Sequence, residues 1–177
     1  MAAQDLETII TELKDREMMK ELAHQYAHCV RQNDVEGLVA LFAQDGTVEM
    51  APTIFSVAHL SRIQAHPVHG AMAVTPTVFT GREGLRRFYA ETLPQLGTPY
   101  HFLHNPVLRL QGDRATGVWS VEIRGVRGEE SVIGAGHYDD EYVRVGEEWK
   151  FRRRKITLYY FVGHREGWAG ERFTVKV

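Results

Sequence analysis

The stretch YHFLHNP, residues 100–106, sets two histidines three positions apart between two prolines. An imidazole takes and returns a proton near neutral pH and also ligates metals, so the pair could serve either chemistry. On a helix, residues at this spacing would share a face. Pro99 and Pro106 argue against a helix, because proline disfavours it both at its own position and at the residue before. Val107 to Leu110 then reads as strand, ended by a turn at Gln111-Gly112-Asp113. Neighbours on a strand alternate faces, so His101 and His104 are expected on opposite sides of a sheet. They are not expected to share a metal, and at most one of them faces a pocket.

His24 and His28 have the i, i+4 spacing that can hold zinc on a helix. They fall on the polar side of their segment, opposite Leu22 and Tyr26, and no third ligand is close in sequence. Cys29 is the only cysteine, which excludes an internal disulfide and a cysteine-rich zinc site. The chain carries neither G-x-S-x-G nor a glycine-rich phosphate loop. The expectation is therefore no metal and no cofactor.

A length of 177 residues suits a single domain with one core. A formal net charge of −2 gives no electrostatic footprint for nucleic acid. The one basic run, Arg152-Arg153-Arg154-Lys155, lies in a strand-like stretch, alternates sides and reads as solvated or salt-bridged surface. The opening MAAQDLETIITELKD is acidic and amphipathic, unlike a signal peptide, and no stretch reaches membrane-spanning length. These features predict a cytoplasmic protein.

Several elements must position the histidines. Leu6, Ile9, Ile10 and Leu13 form one helical stripe, and Met18, Met19, Leu22, Tyr26, Cys29 and Val30 form another. The stripes are nearly opposed on one wheel, which predicts a break near Lys14-Asp15, with Asp15 capping a second helix. A short helix is expected over Val35 to Ala43, with a strand after Asp45. Met50 to Arg82 contains no acidic residue, and the stretch 50–80 reads as a lid or pocket-covering insertion, with a helical piece over Ser56 to Gln64. A helix from Thr80 or Gly81 to Pro94 follows, then four strands: His101 to Leu110, Arg114 to Val126, Ser131 to Val145 and Trp149 to Val162. Helices first and long antiparallel strands afterwards make an α+β domain.

This order, with three local patterns, resembles the SnoaL-like branch of the nuclear-transport-factor-2-like superfamily. The patterns are YAHCVRQNDVEGLVALFAQDGTVEM from Tyr26, GREGLRRFY from Gly81 followed by HFLHNP, and GHYDDEYVRVGEEWKFRRR from Gly136. The resemblance implies a cone-shaped curved antiparallel sheet wrapped by N-terminal helices, with an apolar cavity at one end. Members include scytalone dehydratase, bile-acid dehydratases, hexachlorocyclohexane dehydrochlorinase, polyketide cyclases and ketosteroid isomerase. Many share proton abstraction in a dry pocket without a cofactor; others are not enzymes.

By this resemblance His101 matches the general base of the dehydratase and dehydrochlorinase members, and Asn105 the asparagine four residues on. Tyr26 matches a pocket tyrosine whose phenol can hold a substrate oxygen and stabilise an enolate. Arg31 departs from the pattern: it stands where those members carry an aspartate that orients the histidine. Either Glu122 or Glu49 supplies the acid, or Arg31 binds an anionic or phenolate-like group, or the site is inactive. Trp119, Tyr138, His137, Glu122 and, from the acid-free segment, His59 complete the expected pocket with Asn105. The implied function is a cofactor-independent lyase of dehydratase type, acting on a hydrophobic aromatic or polycyclic molecule. Alternatives are an isomerase, cyclase or hydrolase of the same fold, or a non-catalytic small-molecule-binding or assembly module. A homodimer or higher homo-oligomer is expected from the resemblance, with neither nucleic acid nor membrane as partner.

Overall fold

The computed structural model describes residues 2–51 and 77–165. Two helices, α1 (Ala2–Gln32) and α2 (Val35–Ala40), lead into strand β1 (Phe42–Met50). Strand β2 (Thr77–Thr80) runs directly into helix α3 (Gly81–Leu96). Four long strands follow: β3 (Thr98–Gln111), β4 (Arg114–Arg127), β5 (Glu130–Val145) and β6 (Glu148–Gly163). They form one curved sheet in the order β2-β1-β6-β5-β4-β3. Every pairing is antiparallel except β1 with β6, which is parallel, so the sheet is mixed rather than wholly antiparallel. The α+β architecture is the expected one.

The α1 helix is continuous through Lys14-Asp15, contrary to the expected break. Asp15 is not a cap: it is buried, accepting hydrogen bonds from Arg144 Nη2 at 2.6 Å and Trp149 Nε1 at 3.1 Å. Those bonds pin the helix to the sheet at the point where its inward face begins. Met19, Leu22, Ala23, Tyr26 and Val30 are buried below that point. The earlier stripe of Leu6, Ile9, Ile10 and Leu13 stays exposed, which is why two opposed stripes fit one straight helix.

Other boundaries shift locally. α2 stops at Ala40, and the strand begins at Phe42 rather than after Asp45. α3 runs past Pro94 to Leu96 and closes at Gly97, whose φ of 73° suits a residue without a Cβ. Within the stretch expected as a lid, Thr77–Thr80 is an edge strand paired with β1; the expected helix over 56–64 lies outside the described residues. No helix among the described residues is long and apolar enough to cross a membrane.

One irregularity decides which side chains face the helices. β3 bulges between His104 and Val107, with Asn105 at φ 49°, a left-handed conformation that asparagine tolerates better than most residues. Before the bulge Pro99, His101 and Leu103 turn toward the helices; after it, Leu108 and Leu110 do. His104 is exposed on the outer face, as alternation predicted.

Candidate active site

His101 comes from the first half of β3, opposite Ile123 of β4. Its ring helps line a cavity of about 50 Å³ with Tyr26 and Val30 of α1, Phe88, Tyr89 and Leu93 of α3, and Met50, Ile123, Tyr138, Ile156 and Leu158 of the sheet. Apart from His101, Thr92 and the three phenols, every lining side chain is apolar. His101 Nδ1 is 2.9 Å from the Tyr138 hydroxyl, while Nε2 is buried and has no hydrogen-bond partner among the described residues. Burial, and then the positive charge of Arg154, lower the imidazole's pKa from 6.5 to about 4. At neutral pH the ring is therefore uncharged and able to accept a proton.

Tyr26 is buried, packs edge-on against Tyr138 with ring centroids 5.9 Å apart, and receives a long 3.5 Å hydrogen bond from Tyr89. Burial raises the pKa of Tyr26 and pushes those of Tyr89 and Tyr138 well above the ordinary phenol value. All three phenols stay protonated and can donate hydrogen bonds.

Beneath this cavity lies the arrangement that the sequence did not reveal. Arg154 is fully buried and donates to Asp140 through Nε at 2.8 Å and Nη2 at 2.6 Å. Its guanidinium carbon lies 4.1 Å from the ring centre of Tyr26, 4.4 Å from that of Tyr138 and 4.1 Å from that of Phe151. Cation–π attraction is strongest when the cation is stripped of water, as it is under these three rings. Asp140 also accepts from Tyr142 at 2.8 Å, and Tyr142 in turn accepts from Trp119 Nε1 at 2.9 Å. Burial opposes the charge on Arg154, yet Asp140 more than compensates and raises its pKa. Arg154 Nη1 is buried with no hydrogen-bond partner among the described residues.

The expected site residues separate into two groups. His101, Tyr26 and Tyr138 meet on the cavity. Trp119 is a buried core residue tied to Tyr142, outside the cavity lining. Asn105 is exposed on the bulge, turned off the cavity by the register shift. His137 lies on the outer face of β5, bonded to the Tyr159 hydroxyl at 2.8 Å and to Asp139 at 3.2 Å, because alternation gives the inner face to Tyr138. Glu122 is likewise on the outer face, 2.6 Å from Arg124. Glu49 is paired with Arg153. Neither carboxylate is bonded to His101, and the buried acid beneath the cavity is Asp140 instead, paired with Arg154. Arg31 is exposed on α1, with its guanidinium carbon 4.8 Å from the ring centre of Tyr100. It lines a surface groove with His24, His28 and residues Tyr100 to Leu103 of β3, His101 among them, but is not part of the cavity lining. His59 lies outside the described residues.

Simple alternation along FRRRK gives no reason to bury Arg154. The β5–β6 register slips between Glu141 and Tyr142, so Phe151 and Arg154, three apart, both turn inward. A usable signal did exist in HYDDEY, where Tyr138, Asp140 and Tyr142 share one face. An acid between two aromatics on an inward face calls for a buried cation opposite it.

The model of the SnoaL-like domain matches residues 11–155. No curated protein matches the chain by sequence. Among solved structures, the type 3 LinA hexachlorocyclohexane dehydrochlorinase from Novosphingobium barchaimii superposes with a TM-score of 0.66 at 20% identity, covering 87% of this chain and 92% of that one. A protein of unknown function from Mycobacterium tuberculosis gives 0.66 at 18% identity, covering 85% and 75%. An NTF2-like protein with a cystatin-like fold from Novosphingobium aromaticivorans gives 0.61 at 20% identity, covering 88% of each chain.

Proposed function

We propose, from the premise that the chain belongs to the SnoaL-like domain family, that it is a cofactor-independent lyase acting on a hydrophobic small molecule. The observation that carries this reading is the neutral imidazole of His101, set in an apolar cavity with Nε2 unpartnered and Nδ1 held by Tyr138. In this reading Nδ1 carries the ring proton and donates it to the Tyr138 oxygen, leaving the Nε2 lone pair to take a proton from a C–H bond. The Tyr26 hydroxyl, on the same cavity, donates to the oxygen or leaving group on which negative charge develops. The bond to that leaving group breaks as the C–H electrons form the double bond. The imidazolium then returns its proton to the departing group or to water. The presence of dehydrochlorinases among the structural neighbours agrees with an elimination, at identities that speak for the fold alone.

A neutral imidazole with so low a pKa is a weak base, so the reading requires an acidic C–H, next to a carbonyl or an electron-withdrawing halogen. The test is a panel of cyclic β-hydroxy ketones, with the conjugated enone followed by absorbance, and of halocyclohexanes, with the released halide measured. His101→Gln is expected to lower turnover by about 10²-fold or more, and Tyr26→Phe by about 10-fold or more, with both variants folded by circular dichroism. Full turnover in His101→Gln removes this assignment.

A further inference from the structure

His101 is the one residue shared by the linings of two compartments, the inner cavity and the groove between α1 and β3. We propose that this groove binds an aromatic carboxylate against Arg31, so that the substrate itself brings the negative charge that the chain does not place beside His101. The proposal rests on the lyase reading and names its substrate class.

The sizes of the two spaces divide the ligand between them. A cavity of about 50 Å³ is too small for a ring, since a dry cavity of roughly 150 Å³ is what accommodates benzene. Only the reacting edge of a substrate fits there. The groove, at about 230 Å³, has room for the ring. One of its walls is β3, the end strand of the sheet, which presents Tyr100 and Phe102 at 42% and 44% exposure. These are flat surfaces on which an aromatic ring can stack.

Charge selects the other end of the ligand. The α1 wall presents His24, His28 and Arg31 at i, i+4 and i+7, all on one face, and no acidic residue lines the groove among the described residues. Among the described residues Arg31 makes no ion pair, and its guanidinium rests over the Tyr100 ring. A planar fork of this kind matches a carboxylate bidentately. Toward His101 itself, the cavity side presents the phenols of Tyr26, Tyr89 and Tyr138 with the Arg154–Asp140 pair behind them, and the groove side presents His24, His28 and Arg31. Asp140 is committed to Arg154, and no other carboxylate is among these groups in the described residues. An anion seated in the groove favours the protonated imidazole and strengthens the base.

Benzoate is the probe, with benzamide as its uncharged isostere, and the readout is NMR of the full chain. Benzoate is expected to shift the Arg31 and Tyr100 signals saturably and to bind about tenfold more tightly than benzamide. Arg31→Gln, an exposed substitution, should lose that preference. Saturating benzoate should move the His101 titration upward by about one pH unit in the wild type and not in Arg31→Gln. Equal binding of benzamide, an unchanged affinity in Arg31→Gln, or a stationary His101 titration would each overturn the proposal. These results are independent of turnover: benzoate failing while His101→Gln still abolishes elimination dismisses the groove alone. Arg31-dependent binding combined with full turnover in His101→Gln dismisses the lyase reading instead.

Discussion

Asp140 and Arg154 stand directly opposite each other on β5 and β6 and form a two-bond ion pair from which solvent is excluded. Taking two charges out of water costs several kcal/mol per ion, recovered only with good geometry and further hydrogen bonds. Tyr142 supplies one such bond, and the three ring faces around the guanidinium stand in for part of its lost hydration. The pair thereby fixes Tyr26 and Tyr138, the two phenols beside His101.

Breaking one side of the pair strands a charge. Asp140→Ala is expected to lower stability by about 3–5 kcal/mol in urea denaturation. The double replacement Asp140→Leu with Arg154→Met removes both charges and should cost less than the single change. A double variant less stable than Asp140→Ala would mean that the pair contributes net stability beyond mutual compensation.

Asp15 holds α1 to the sheet through a cation and an indole N–H. The hydrogen bonds from Arg144 and Trp149 keep its carboxyl below the ordinary value although burial pushes the other way. Asp15→Ala should cost about 2–3 kcal/mol, read from the urea midpoint. Leu6→Ala on the exposed stripe of the same helix should change stability by less than about 0.5 kcal/mol.

The architecture was legible because it rests on periodicity. The strand alternation in residues 114–162 and the inward stripe from Met19 to Val30 are local patterns with one physical solution. His101 and Tyr26 were singled out by the resemblance, since alternation alone left open which histidine turns inward; both lie on inward faces, of a strand and a helix. The errors sit where a single residue shifts a register. The bulge at Asn105 carries that residue out of the site, and the slip near Arg153 carries Arg154 into it. The helix break was expected because an apolar stripe was assumed to be buried, whereas Leu6 to Leu13 is not.

Protonation of His101 couples to folding. The folded ring titrates near 4 and the unfolded one near 6.5, so between these values the unfolded chain binds more protons. The sign follows: the His101 contribution to stability is complete above pH 6.5 and declines as pH falls toward 4. The loss by pH 4 is about 3 kcal/mol. Comparing urea midpoints of the wild type and His101→Gln across this window isolates the term; parallel pH profiles would contradict it.

Among the described residues, Tyr138 is the only hydrogen-bond partner of the His101 ring. Tyr138→Phe leaves a buried ring nitrogen unsatisfied and is expected to cost about 1–3 kcal/mol. It also frees the choice of tautomer, so turnover should fall while substrate affinity stays close to that of the wild type. A loss of affinity at unchanged turnover would place the Tyr138 hydroxyl on the substrate instead.

The imidazole nitrogens of His101 report most directly on the central claim, through the pH titration of their NMR signals in the ligand-free protein. The prediction is a ring that stays neutral from pH 8 down to about 4, with its proton on Nδ1 and an unprotonated Nε2. A midpoint near 6.5, or a proton resident on Nε2 at neutral pH, would contradict it.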